Sequence, residues 1–547
     1  MSNIIVTFGD GTKNEFKKGI TLREIIKSVN NDDIICAMYQ GRIIYYDDVI
    51  NKSGKLYLYD INTKQGNKIY EKGLLLLFEV CIKEHLGKDT EVIVRHSMDK
   101  GVYCEINKAV TKEQLIEIKK IMKDKVNKAI PFEQIETTRA EALTYFKNNK
   151  RYDKVKTLTY DTSSYIKLYR FEEFYEYILG DLPYDAGILK YFDLTLIEGK
   201  GVVVRFPSIY DNKKILKYTH HENYFNSLEN YANWGKILKI NNLGELNESI
   251  INNKAGEIIN LSEILQDYKL LSIAEDIVLN KDKIKIVLIS GPSSSGKTTT
   301  SRKLSLYLKT LGLNPVPLSI DDYFVNREET PLDEDGNYDF ECLQAVDLKL
   351  FDAQVAKLLK NNEVITPTFD FISGVKKFNK PIKLEKNDIL IIEGLHALND
   401  RLLDSIPRDK KLKVYVSPLT YLNLDNDNRI SMTDIRLLRR MIRDNRTRGY
   451  KPNDTLNKWA SVRKGEEKWV FPYQDQADIL FNSSLSYELG VLKTYAEPLL
   501  FTVAEDDPEY QTAIRLLELL KFVLPVPADD IPKISILREF IGGSYFE

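Results

Sequence analysis

Apolar residues recur along this chain in several different patterns, and each predicts a different kind of element. From residue 1 to about 62 they fall in short runs, Ile4 to Phe8, Ile34 to Tyr39, Arg42 to Tyr46 and Lys55 to Tyr59, which predict strands. Gly9-Asp10-Gly11 predicts a tight hairpin turn after the first run, and Leu22 to Val29 a short helix opened by Thr21. Lys112 to Val126 predicts a long helix. Between 211 and 283 the pattern loosens. A polar, aromatic segment around His220 and His221 reads as an exposed connection, and Leu243 to Val278 as two or more amphipathic helices, together a helical connector. Ile284, Ile286, Val287, Leu288 and Ile289 then form an unbroken apolar run, as expected of a buried parallel strand. Val316 to Ser319 and Ile389 to Ile392 repeat that signature, and Leu304, Leu308 and Leu311 mark a helix stopped by Gly312.

The first buried run leads into Gly291-Pro292-Ser293-Ser294-Ser295-Gly296-Lys297-Thr298, a full match to the G-x-x-x-x-G-K-[ST] phosphate loop. The glycines let the backbone curl so that successive N–H groups point at one anion. Lys297 supplies a mobile positive charge for the outer phosphates, and the Thr298 hydroxyl is a ligand for Mg²⁺. The helix that starts here adds the positive end of its dipole. The ATP-contacting set is thus Gly291, Ser293, Ser294, Ser295, Gly296, Lys297, Thr298 and Thr299. An accidental Gly/Ser-rich turn is the plain alternative, and the flanking strand and helix argue against it.

Two further strand ends carry acids. Ser319-Ile320-Asp321-Asp322-Tyr323-Phe324 places a carboxylate where ligands bind in an open α/β sheet. Ile389 to Ile392 closes in Glu393-Gly394, the second half of a Mg²⁺–nucleotide site. Between them lie Gly336-Asn337-Tyr338-Asp339-Phe340 and Pro367-Thr368-Phe369-Asp370-Phe371. Thr433 to Gly449 holds six arginines (436, 439, 440, 443, 446 and 448) against Asp434 and Asp444. In a phosphoryl transferase this reads as a lid that brings arginines onto the transferring phosphate. A solvated helix face or a nucleic-acid surface are the alternatives, and aromatic interleaving is missing.

Composition narrows the class. With 547 residues, 43% apolar and 29% charged, the chain is a soluble globular protein of several domains. Its 78 basic and 80 acidic residues leave a net charge of −2, so nucleic-acid binding would need a local patch. Cys36, Cys81, Cys104 and Cys342 are scattered and read as reduced core residues. The longest apolar candidate, Leu74 to Phe78, is too short to span a membrane, and no leader precedes it, so a cytoplasmic location is expected.

The segment from about 284 to 500 resembles the uridine kinase and phosphoribulokinase family of P-loop kinases. It carries G-P-S-S-S-G-K-T, S-I-D-D-Y-F, Y-D-F, P-T-F-D-F, I-I-E-G and R-R-M-I-R-D-x-x-x-R-G in the family's order. The resemblance implies Asp321 as the base at the acceptor hydroxyl, with Asp322 dispensable, and Asp339 as a ribose-diol ligand. It implies Phe369, Phe371 and Arg439 at the substrate, Glu393 at Mg²⁺ or the acceptor, and Lys297, Arg443 and Arg448 at the transferring phosphate. Two departures bear on the acceptor: Gly374 stands where uridine–cytidine kinases carry a base-reading His, and Tyr450 where they carry an Arg.

The front of the chain resembles bacterial threonyl-tRNA synthetase. Residues 1–62 are similar to its ubiquitin-like TGS domain. Residues 63–210 are similar to its α+β editing domain through Val94-Arg95-His96-Ser97, Lys100 to Ile106, Gly187-Ile188-Leu189 and Gly201 to Pro207. That domain's paired His on one helix and its later Cys and His are missing from Tyr70 to Glu84 and from Gly180 to Gly187, which implies a catalytically degenerate copy. The remaining divisions are a connector, 211–283, and an α/β kinase with a mainly parallel sheet flanked by helices, 284–547. The whole resembles TGS-containing uridine kinase-like proteins. The expected activity is ATP- and Mg²⁺-dependent phosphorylation of a nucleoside, uridine or cytidine first, or of a related small polyol. The rival is a nucleotide-regulated protein that binds tRNA or other RNA through its front domains. Homo-oligomerisation stays open.

Overall fold

The computed structural model describes residues 3–547 except 32, 333–335, 337, 371 and 372, with the backbone alone at 379 and 380. At the front, Asn3–Phe8, Lys13–Lys17, Cys36–Tyr39, Arg42–Ile44 and Gly54–Tyr59 form one five-stranded sheet. The helix Leu22–Ser28 buries Leu22, Ile25 and Ile26 against it. Its start is set by a reciprocal cap: Thr21 accepts from the Glu24 amide, and the Glu24 carboxylate accepts from the Thr21 amide at 2.9 Å.

A 23-residue junction helix, Lys64–Leu86, follows. Its centre, including Leu74 to Phe78, is buried among a four-stranded antiparallel sheet, a three-stranded sheet and the helix Lys112–Asn127. That burial explains the apolar run without a membrane; among the described residues no helix is long and apolar enough to cross one.

The second half is built on five parallel strands: β1 (Ile286–Ser290), β2 (Asn314–Ser319), β3 (Asp388–Glu393), β4 (Lys411–Ser417) and β5 (Ile479–Asn482). Their order, β2-β3-β1-β4-β5, is that of a doubly wound sheet. The central strand β1 is buried at every position because both faces are covered, which is why it reads as continuous rather than alternating.

The helical connector expected at 211–283 needs correcting. The helix Ala255–Leu279 packs on the phosphate-loop helix Lys297–Thr310, and Leu270, Ile273 and Ile277 share one core with Leu304, Leu308, Val287 and Ile289. It is a layer of the kinase sheet. Its apolar residues surround it on several sides, with Leu261, Ile264 and Tyr268 left exposed, so periodicity alone could not say which face is buried.

The halves meet through residues 418–431, the crossover from β4 into the arginine helix Met432–Arg448. The crossover threads into the front half. The Val94 amide donates to Asn426 O (2.8 Å), the Asn423 amide group to Val94 O (2.7 Å) and the Leu179 amide to Asn428 Oδ1 (2.8 Å). Buried ions reinforce the seam. Lys154 meets Asp425 at 3.0 Å and Asp427 at 2.7 Å, Arg151 meets Asp427, Glu176 and Asp153, and Arg429 meets Glu71 at 2.7 Å. Two groups of three carboxylates here lie close enough to hold a metal, but Arg151, Lys154 and Lys83 already occupy the space between them.

Candidate active site

The phosphate loop leaves β1 at Ser290 and enters its helix at Lys297, with Gly296 as N-cap at φ +89°. Only glycine adopts that φ cheaply, and a Cβ there would lie 2.6 Å from Ile536 Cγ2. Lys297 Nζ spans the loop, donating to Gly291 O (2.9 Å) and Pro292 O (3.1 Å). Ser294 and Ser295 hold buried hydroxyls that, among the described residues, have no hydrogen-bond partner.

Strand order brings the acids in. β3 lies beside β1 with Ile289 opposite Glu393, and β2 lies beside β3 with Ser319 opposite Glu393. Glu393 thereby comes within reach of the loop, and the Thr298 hydroxyl donates to Glu393 Oε1 at 3.1 Å. Asp321 follows in a 3₁₀ turn, Ile320–Tyr323, and its own amide donates to the N-cap Ser319 Oγ at 3.3 Å. The Asp321–Asp322 pair is therefore turned rather than extended. Asp322 still points elsewhere, accepting from the Phe369 amide at 3.3 Å.

The electrostatics are those of acids kept apart from bases. Asp321 opens onto the cleft, yet the protein packed around it dehydrates its carboxyl and raises it above the usual range. Asp322 adds to that rise, while Lys297 and Arg448 oppose it. Glu393 is pushed up to about 7, first by burial, then by Asp321, against Lys297 and the Thr298 hydroxyl. Glu341 is also pushed up to about 7, by burial and by Glu466, with Arg440 opposing. Among the described residues, none of these three carboxylates has a basic nitrogen within 4.0 Å.

The arginine helix divides its side chains between scaffold and site. Arg436 Nε donates to Ser293 O (2.9 Å), and Arg440 Nη1 to Ser293 Oγ (2.8 Å). Glu466, fully buried between Arg436 and Arg463, accepts from the Ser293 amide at 2.8 Å. Arg443 and Arg448 turn to the buried Asp444, at 3.0 and 3.5 Å, beside Arg440 at 3.2 Å. The substrate role implied for Arg439 is corrected. It is fully buried, paired with Glu488 at 2.6 Å, donating to Ser483 O and stacked over Phe540. Its position on the helix faces the core, so it holds the helix down and cannot touch an acceptor.

The remaining implied contacts are spread along the cleft's rim. Asp339 Oδ1 accepts from the Glu341 amide at 3.1 Å, and Phe369 is buried edge-on against Phe324, with centroids 5.6 Å apart. Phe371 lies outside the described residues. Gly374 has φ +73°, and a Cβ there would lie 2.8 Å from Arg327 Cβ. A histidine does not fit, because Arg327 fills its space. Tyr450 follows the arginine helix at 36% exposure, with Lys458 over its ring.

Sequence reasoning missed Glu341, Glu466 and Glu539, and named Arg440 only as one of six lid arginines. Glu539 comes from the chain's last helical turn and accepts from the Thr299 hydroxyl (2.6 Å) and amide (3.3 Å), at the first turn of the phosphate-loop helix. Glu341 had a local signal, directly after Y-D-F. Glu466 and Glu539 had none, because 173 and 240 residues separate them from their partners.

The donor set suits ATP and Mg²⁺. The buried Ser294 and Ser295 hydroxyls, the start of the phosphate-loop helix and Lys297 fit phosphate, and hard oxygens from Thr298 and Glu393 fit Mg²⁺, which keeps several waters and needs few protein ligands.

Residues 286–488 match the Phosphoribulokinase / Uridine kinase family. The chain is 25% identical over 231 residues to a uridine kinase of Halobacterium salinarum, covering 41% of this chain and 94% of that protein. It is 29% identical over 210 residues to a uridine kinase of Staphylococcus aureus, covering 38% and 91%. A solved structure described as a possible uridine kinase from Bacillus stearothermophilus aligns at 19% identity and a TM-score of 0.25, over 37% of this chain and 89% of that one. The C-terminal half thus carries a P-loop kinase domain of this family, and the protein is an ATP-dependent phosphotransferase.

Proposed function

We propose that the chain transfers the γ-phosphate of ATP to a hydroxyl group of a nucleoside, uridine being the first candidate, or of a related small polyol. The observation that carries this reading is convergence. A complete phosphate loop, Asp321 with a raised carboxyl and the Thr298–Glu393 pair meet at the ends of three neighbouring parallel strands. The family match, residues 286–488, spans all three of these strand ends.

In this reading Asp321 accepts the proton of the acceptor hydroxyl, and its dehydration brings its basicity closer to working pH. Lys297 leaves the Gly291 and Pro292 carbonyls for the outer phosphates. Arg443 and Arg448 leave Asp444 to share the charge that spreads over the transferring group. Thr298 and Glu393 would hold Mg²⁺, which when bound would supply positive charge against the phosphates. Asp339, Phe369 and Phe371 line the acceptor side. Arg327, in the space over Gly374, replaces the histidine reader, so the acceptor ring is recognised differently from that of uridine–cytidine kinases. The front is read as a TGS-like unit (1–62) and a degenerate editing-like unit (63–210), supported by the mixed sheet that clasps a single helix.

A screen of nucleosides and small polyols, with ATP consumption as readout and Lys297→Ala as blank, tests the assignment. At least one acceptor should drive turnover that Lys297→Ala abolishes. No acceptor-dependent turnover, or equal turnover in Lys297→Ala, overturns it.

A further inference from the structure

The junction helix carries Lys64, Lys68 and Lys72 at i, i+4 and i+8, a stripe of positive charge along one face. Lys64 is matched by Glu509 at 2.8 Å. Lys68 and Lys72 line a cavity of about 130 Å³ between this helix, the start of the arginine helix and the helix Tyr510–Lys521. Its apolar walls include Leu75, Leu76, Ile430 and Leu519.

Four carboxylates also face the cavity, and each is committed to another base. Glu71 pairs with Arg429 (2.7 Å), Asp434 with Arg515 through both oxygens (2.5 and 2.8 Å), Glu79 with Lys83 (2.5 Å) and Asp427 with Lys154 (2.7 Å). Among the described residues, no carboxylate oxygen lies within 4.0 Å of the Lys68 or Lys72 ammonium. Lys72 donates to the Leu179 carbonyl instead. The amines respond as uncompensated charges do. Burial, and then Arg515, push Lys68 down to about 7, with Asp434 opposing; burial likewise lowers Lys72. An ammonium in low dielectric without a counterion is costly, and a ligand that brings the missing charge removes that cost.

We propose that this cavity binds a small oxyanion, a phosphate or carboxylate group, between Lys68 and Lys72. Its place gives the occupant a lever on the kinase site. Ser431, the N-cap of the arginine helix, and Asp434 in that helix's first turn both line the cavity. Arg436 and Arg440, on the turns that follow, grip Ser293 of the phosphate loop. The proposal stands whether or not the acceptor assignment above is right.

Calorimetry on the full chain tests it, with a non-hydrolysable ATP analogue and Mg²⁺ saturating so that the phosphate loop is filled. Inorganic phosphate and acetate are the two probes and separate the two ligand chemistries. At least one should bind saturably in the millimolar range or tighter. Lys68→Met and Lys72→Met should weaken it roughly tenfold or more, the worth of a charge-assisted hydrogen bond. Lys68 is faced by Lys64 and Lys72 from its own helix, Asp434 from the arginine helix and Arg515 from the third. An anion raises its pKa, so binding should take up a proton near pH 7 to 8 and weaken at higher pH, where the amine is neutral. Lys68→Met should also raise the Tm of the anion-free chain, because it deletes a half-buried ammonium that, among the described residues, has no carboxylate within 4.0 Å. Saturable binding of neither probe, an affinity in either variant equal to that of the wild type, or a lowered Tm would overturn the proposal.

Discussion

At the junction, Arg151, Lys154 and Lys83 each sit within 4.0 Å of at least two carboxylates. In the cleft, Asp321, Glu341 and Glu393 stand near Lys297, Arg440 and Arg448 without such a pair. At the junction Arg151 and Lys154 hold Asp427 far below the ordinary carboxylate range and are themselves pushed up, while burial still raises Glu79, Glu176 and Asp425 beside them; in the cleft all three carboxyls rise, with no base in contact among the described residues. The junction spends its charges on one another and so joins two halves of the chain. The cleft keeps acids and bases apart, which costs stability and leaves both available to a polyanion, a cation and an acceptor.

The largest expected effect breaks the cleft side of this contrast. Asp321→Asn should lose on the order of 10²–10⁴ in kcat while ATP still binds, the usual worth of a positioned base. Asp322→Ser, at a carboxylate that accepts from the Phe369 amide, should keep most activity. Equal losses in steady-state assays of the two would show that the wrong carboxylate has been assigned.

Next comes the junction. Asp427→Ala leaves Arg151 and Lys154 short of a partner and should destabilise the fold by about 3–5 kcal/mol in urea unfolding. A loss below about 1 kcal/mol would mean that the remaining acids compensate and that the seam is not held by this network.

The smallest effect sharpens the comparison through pH. Glu341 is raised from its ordinary value to about 7, so its contribution to stability is full below the unfolded value and lost as pH rises towards 7. Thermal unfolding between pH 5 and 8, free of nucleotide and Mg²⁺, should show a decline that is shallower in Glu341→Gln. Mg²⁺–nucleotide binding should in turn release protons below pH 7 because Glu393 must ionise, and Glu539→Gln should reduce that release slightly by removing a neighbouring negative charge. Parallel pH curves for wild type and Glu341→Gln would remove Glu341 from the site.

Much of this was legible in the chain itself. The phosphate loop, its strand and helix, the acid at the end of β2 and Glu393 at the end of β3 are local patterns: each is written in consecutive residues whose backbone geometry needs no distant partner. The front helix was equally plain, because the Thr21–Glu24 cap is a three-residue relation. Tertiary structure decided what depends on residues far apart. An arginine-rich helix does not announce that Arg439 faces Glu488 while Arg440 faces Ser293, since one step along a helix turns a side chain by about 100° and only the neighbours say which side is core. Nor can periodicity show that Ala255–Leu279 packs on the phosphate-loop helix, that Glu539 closes on Thr299, or that, among the described residues, no carboxylate lies within 4.0 Å of the Lys68 or Lys72 ammonium. Pairing of charge is a property of three-dimensional neighbours, and in the sequence every lysine looks alike.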